Sequence, residues 1–177
     1  MTKVFGGFDL SGFWEDSEYA RKTCIEPPVT DQEVSRLELD LGYVLPVSYV
    51  EMSRVQNGGA PRNNCHRTQV PTSWAPDHIT ITHIYSLGRR QSESICGEFG
   101  TSFWVREWGY PDIGVYFASC PSAGHDMLCL DYRNCGPQGE PQIIHVDQDN
   151  NFAIAVLAEN FETFIRGLEH ESAFPLG

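Results

Sequence analysis

The sequence is poor in positive charge. Lysine occurs only at Lys3 and Lys22, and 12 basic residues face 24 acidic ones, a formal net charge of −12. From Pro121 to Gly177 nine acids stand against two arginines. Such a surface repels nucleic acid and anionic lipid, which argues against binding either. It suits a basic partner, although solubility alone would also account for it. No apolar run approaches a membrane span. The opening MTKVFGGFDL is too short and too polar for a signal peptide, so a cytoplasmic chain is expected. The six cysteines contain no C-x-x-C pair, which argues against a zinc ribbon and for free thiols in a reducing compartment. H-x-x-x-H, H-E-x-x-H, G-x-S-x-G and G-x-x-x-x-G-K are all missing. The sequence therefore offers no catalytic set, no metal ligands and no cofactor motif.

What is present suits one folded body. The 177 residues are 41% apolar, and 21 of them are aromatic. There is no repeat and no low-complexity linker. A single domain over 1–177 is expected, with the glycine-rich stretch 1–13 as an irregular arm. WEDSEYARK predicts a short helix. Thr30 and Glu33 form a capping box ahead of an amphipathic helix over 31–41, with Gly42 at its C-terminal stop. Pro46 opens a second helix that Asn57-Gly58-Gly59 ends. Residues 60–78 read as loop, 79–87 as a strand, and 101–108 as a helix capped by Thr101 or Ser102. Strands follow over 113–118, 126–133, 142–147 and 152–157. Their short Gly-, Pro- and Asn-rich links predict antiparallel hairpins. In the last helix, 159–168, Phe161, Phe164, Ile165 and Leu168 share one face, and Asn160 is the cap. The fold class is α+β, with N-terminal helices and a C-terminal helix packed on a largely antiparallel sheet.

Two stretches imitate metal sites. In GHDMLCLDYR, His125-Asp126 resembles the start of a phosphohydrolase motif. As a strand, however, it sends Asp126 and Asp131 to opposite faces, so the two cannot grip one ion unaided. A metal-assisted hydrolase using His125, Asp126 and His145 is the enzyme alternative. In HVDQDNN the opening of a calcium loop is echoed, but Phe152 stands where glycine is needed and Ala158 where the bidentate acid is needed. A polar hairpin turn fits that stretch better. Cys129 sits mid-strand in apolar company and reads as packing rather than a nucleophile. Trp14, Trp74, Trp104 and Trp108 suit either a groove or the core.

Two blocks, ELDLGYVLPVSYVEMSRVQNGG (38–59) and 108–168, together resemble a known family. Leu41-Gly42, Leu45-Pro46, Tyr49, Asn57-Gly58-Gly59, His125-Asp126, Leu130-Asp131 and Asn160-Phe161-Glu162 follow in the order of the SUKH superfamily, of the Smi/Knr cell-wall-assembly-regulator type. FWEDSEYA is similar to bacterial members, whereas residues 60–100 carry less of the pattern. The resemblance implies an α+β fold without an established catalytic set. It also implies an immunity protein that neutralises a cognate toxin, often a nuclease. A regulatory scaffold, as in eukaryotic relatives, is the other implied role, but those carry long disordered flanks that this sequence lacks. Under the immunity reading an acidic face occludes the toxin's basic cleft. The candidate contacts are Asp126, Asp131, Glu140, Asp147, Asp149 and Glu159, because turns and strand ends are expected to be exposed. The protein itself is expected to be a monomer or a weak homodimer.

Overall fold

The computed structural model describes residues 3–175. Helices α1 (Glu18–Thr23), α2 (Asp31–Leu41) and α3 (Val47–Val55) come first. Both halves of the Thr30–Glu33 capping box are formed at α2, and Gly42 takes the left-handed conformation that ends it (φ 81°). Pro46 is the N-cap of α3, where its missing N–H costs nothing.

Next come three short strands, β1 (Cys65–Arg67), β2 (His78–Thr80) and β3 (His83–Ile84). β1 and β2 form a small antiparallel sheet of their own, whereas β3 joins the main sheet. The loop expected over 60–78 thus contains β1, and the strand expected over 79–87 is two strands in two sheets. The hand-over falls at Ile81 and Thr82. The Ile81 N–H donates to Asn64 of the small sheet's side, and the Thr82 N–H to Ser119 of the main sheet.

Helix α4 (Thr101–Arg106) precedes β4 (Gly114–Ser119), β5 (Asp126–Asp131), β6 (Gln142–Asp147) and β7 (Ala153–Ala158). The main sheet runs β3-β4-β5-β6-β7, every pair antiparallel. α4 lacks the side-chain cap expected of it. Gly100 is its N-cap, and Thr101 Oγ1 instead accepts the Tyr116 N–H. Helix α5 (Phe161–Arg166) is capped by Asn160, as its sequence predicts.

The sheet is covered on both faces. Strand alternation sends the neighbouring rings of Tyr116 and Phe117 to opposite sides, and the register shifts by a bulge between Tyr116 and Ala118. The Phe117 ring meets Phe161 and Phe164 of α5 and Tyr49 of α3, while the Tyr116 ring meets Tyr110 beyond α4. Phe161, Phe164 and Ile165 are fully buried, each side chain worth roughly 1.5–3 kcal/mol. Phe5 and Phe13 from the N-terminal stretch join the same core. β7 is an edge strand with Val156 exposed. No helix among the described residues is long and apolar enough to cross a membrane.

Candidate functional site

The six acids predicted as contacts fall at the two ends of the main sheet. β5 begins at Asp126 and β6 ends at Asp147, and these two residues face each other across the strands. Asp149 lies in the turn just beyond. At the opposite end Asp131 pairs with Gln142, Glu140 precedes β6, and Glu159 follows β7. Six-residue strands with a rise of about 3.4 Å separate the ends by roughly 17 Å. The acids therefore do not make one patch.

Half of them are also not exposed. Asp126, Asp131 and Asp147 are buried, whereas Glu140, Asp149 and Glu159 are open to solvent. The expectation that strand ends lie open fails for the first three because each has its own internal partners. The Asp131 carboxylate takes two parallel hydrogen bonds from Arg133, both 2.9 Å, and one from Gln142, also 2.9 Å. Asp147 Oδ2 accepts the Ser73 N–H at 2.8 Å. Asp126 accepts from His145 Nε2 at 2.7 Å and from the Ser122 hydroxyl.

The alternation of β5 explains the fate of His125-Asp126. The Asp126 side chain turns inward to His145. His125 turns outward, where Nδ1 meets Asp149 at 2.8 Å. Asp126 and Asp131 sit on opposite faces, as the strand parity predicts. The enzyme alternative therefore has two of its three residues together and the third outside. Cys120 takes the vacant place. Among the described residues, Cys120, Asp126 and His145 are the one convergent group of metal-ligand type, their donor atoms within 4.8 Å of one another.

All three residues are buried, and burial pushes the Cys120 thiol well above its usual value, so the thiolate is suppressed. A cavity of about 60 Å³ adjoins Asp126, and Cys120 lines a separate hollow of about 380 Å³. Cys129 is likewise buried, with its thiol pushed up by desolvation, and it packs as expected. In the calcium-like stretch Asp147 Oδ2 accepts from Ser73 and Asp149 meets His125, and both carboxylates line the small cavity beside Asp126. The stretch is the β6–β7 hairpin turn, with Asn151 and Phe152 at positive φ (55° and 59°).

The buried polar groups make the fold pH-sensitive. Burial alone would raise the Asp126 carboxyl, but the hydrogen bonds from His145 and Ser122 outweigh it and hold the group below 3.8. Arg133 and Gln142 do the same for Asp131. Burial pushes His66 below 6.5, its ring stacked 5.2 Å from that of Phe164. The unfolded chain therefore takes up the His66 proton first, and stability falls as pH drops below about 6.5. The carboxylates stabilise fully above their unfolded value near 3.9, and that contribution is lost as pH falls from there through their lower folded values. His125 is raised by Asp149 and acts with the opposite sign, but it is exposed and weak. We expect melting temperature to decline in two limbs, from about pH 6.5 and again below about pH 4. His66→Phe should erase the first limb in a thermal melt series, and an unchanged slope would contradict this assignment.

Outside the buried cluster the same end of the molecule is concave. A groove of about 1070 Å³ is bordered by Glu15, Trp74, His78, Glu171 and Phe174. Trp74 also lines the small cavity beside Asp126 and Asp147, so groove and cluster adjoin. Sequence reasoning missed this groove because its walls come from the N-terminal segment, the 60–83 region and the C-terminal turn. No curated protein matches the chain. The profile of the SMI1 / KNR4 family (SUKH-1) matches residues 28–167, from just before α2 to the end of α5. That span takes in both sheets and every α-helix except α1. The fold and this match agree: the chain belongs to the SMI1 / KNR4 family (SUKH-1).

Proposed function

We infer that this protein is an immunity protein: it binds a cognate toxin, a nuclease, in the cytoplasm and occludes its basic substrate cleft. The observation that carries the reading is the open groove bordered by acids and aromatic rings on a body of net charge −12. A nuclease must present basic surface to hold phosphates, and an acidic concave face is its electrostatic complement. Membership of the family supports the same role. The buried Cys120–Asp126–His145 cluster gives the hydrolase alternative ligand-type residues, but His125 of its set stands outside on Asp149 and burial keeps the Cys120 thiol protonated. The protein acts by stoichiometric binding, as a monomer or as a weak homodimer through the β7 edge.

The test is reconstitution with the toxin encoded beside it. A 1:1 complex should form, and nuclease activity should fall to zero as the molar ratio reaches one. Catalytic clearance of toxin activity at ratios far below one would mean an enzyme instead. Failure to bind the neighbouring toxin at any ratio would remove the immunity reading.

A further inference from the structure

Next to the groove lies a second hollow of about 380 Å³. The two concavities share Tyr19 and Thr82 as lining residues. The walls of the hollow are aromatic: Tyr19, Phe99, Phe103, Trp104 and Trp108. Their rings are set across one another. Phe99 meets Phe103 at 5.1 Å and 69°, Phe103 meets Trp104 at 5.0 Å and 80°, and Trp104 meets Trp108 at 5.3 Å and 60°. The arrangement is fixed from behind. Trp104 Nε1 donates to the Phe99 carbonyl at 2.8 Å, and Gly124, at φ 94°, brings its backbone so close that a Cβ there would lie 2.8 Å from the Trp104 ring.

One carboxylate opens into this aromatic box. Glu93 Oε2 is occupied by the Thr23 hydroxyl at 2.9 Å and by His83 Nδ1 at 2.7 Å. Oε1 has only a long 3.5 Å contact with the Ser119 hydroxyl. A purely apolar guest would desolvate that oxygen without replacing its water. An anion would be repelled by it and by the ring faces. A cation satisfies both, since ring faces carry negative potential. A guanidinium fits best, because it is flat enough to lie on a ring and still directs N–H groups at an oxygen in its plane.

We propose that this hollow is the receptor for an arginine side chain of the bound partner. The proposal rests on the binding reading above and places its anchor. The rim is accessible, with Tyr19 61% and Phe99 36% exposed. Charge steers the partner, and a buried cation-on-aromatic contact supplies a point of high energy density.

The experiment uses acetyl-arginine amide as probe and acetyl-citrulline amide as its uncharged isostere. The indole N–H resonances of Trp104 and Trp108 report binding by NMR. The arginine probe should shift them saturably, with Kd on the order of 1 mM. Citrulline should bind about fivefold more weakly or worse. Tyr19→Ala and Phe99→Ala, at the rim, should weaken the arginine probe while leaving the protein folded, with the melting temperature lower by only a few degrees for the lost ring contacts with His83 and Phe103. Glu93→Gln should remove the preference for arginine over citrulline. Equal binding of the two probes, or shifts that never saturate, would overturn the proposal. The toxin complex separates the two readings. If Tyr19→Ala and Phe99→Ala bind toxin as the parent does, the hollow is not the anchor and the immunity reading stands. If the arginine probe binds while the parent captures no toxin, the hollow stands and that reading falls.

Discussion

Asp126→Leu is expected to destabilise the protein by about 2–4 kcal/mol, the cost of leaving the buried His145 N–H and the half-buried Ser122 hydroxyl without their acceptor. Asp126 is the hub of its cluster: His145 Nε2 and the Ser122 hydroxyl both donate to it, and the Asp126 N–H returns a bond to Ser122 Oγ. With Nε2 carrying the proton, His145 Nδ1 is an acceptor, and it is already buried without a partner. Removing the carboxylate strips the imidazole of its one remaining hydrogen bond in a fully buried position. In a domain of this size, where 1 kcal/mol shifts the midpoint by roughly 2–4 °C, the melting temperature should fall by roughly 4–16 °C. The double variant Asp126→Leu/His145→Phe removes both partners and the orphaned Nδ1 with them. It should recover most of the loss, since apolar groups of similar shape replace a buried pair at little cost. Urea unfolding of the two single variants and the double variant measures the coupling. A single-variant cost below about 1 kcal/mol, or a double variant as poor as the two singles added, would show that the pair does not hold this end of the sheet.

The same pair shows where the sequence stops being informative. Alternation along β5 separates Asp126 from Asp131 and from His125 without any structure, because it depends only on neighbours in the chain. The partnership with His145 depends on which residue of β6 faces Leu128, and that register is set by the whole 132–141 connection. Cys120 enters from the far side of another hairpin. The burial of Asp126, Asp131 and Asp147 was hidden for a related reason. Their covers, Ser122, Arg133 and Ser73, lie in turns whose paths no periodicity describes. Local signals fared well: the Thr30–Glu33 box, Gly42 and the hairpin links of β4 to β7 all act over a few residues. The β1–β2 sheet, three residues a side, has no pattern to read and exists only through long-range pairing. The tryptophans were visible as a choice between groove and core. Only the fold puts Trp104 and Trp108 in one wall with Tyr19 and Phe99.

Reversing Glu15, Asp149 and Glu171 to lysine is expected to slow association with the toxin by tenfold or more at low salt, leaving dissociation nearly unchanged. All three are exposed; two border the groove, and Asp149 lies beside it, so the fold should tolerate the changes. Asp147 is unsuitable for this purpose despite its position, because a lysine there would be buried against the Ser73 amide. Each reversal adds two charges, so the triple variant moves from −12 to −6. A change of that size would slow a steered encounter wherever the charges sat, provided the screening length is long. Ionic strength resolves the location. At 0.01 M the Debye length is about 30 Å and both sheet ends are felt, whereas at 0.15 M it is about 8 Å, less than the roughly 17 Å between them. The Glu140→Lys/Glu159→Lys variant at the far end should therefore slow binding at low salt and match the parent at 0.15 M. The groove-end variant should stay slow at both. Stopped-flow fluorescence from the tryptophans gives these rates directly. A far-end variant that remained slow at 0.15 M would move the docking face to the Asp131 end of the sheet. Rates insensitive to salt and to both sets of reversals would mean that charge does not guide this encounter.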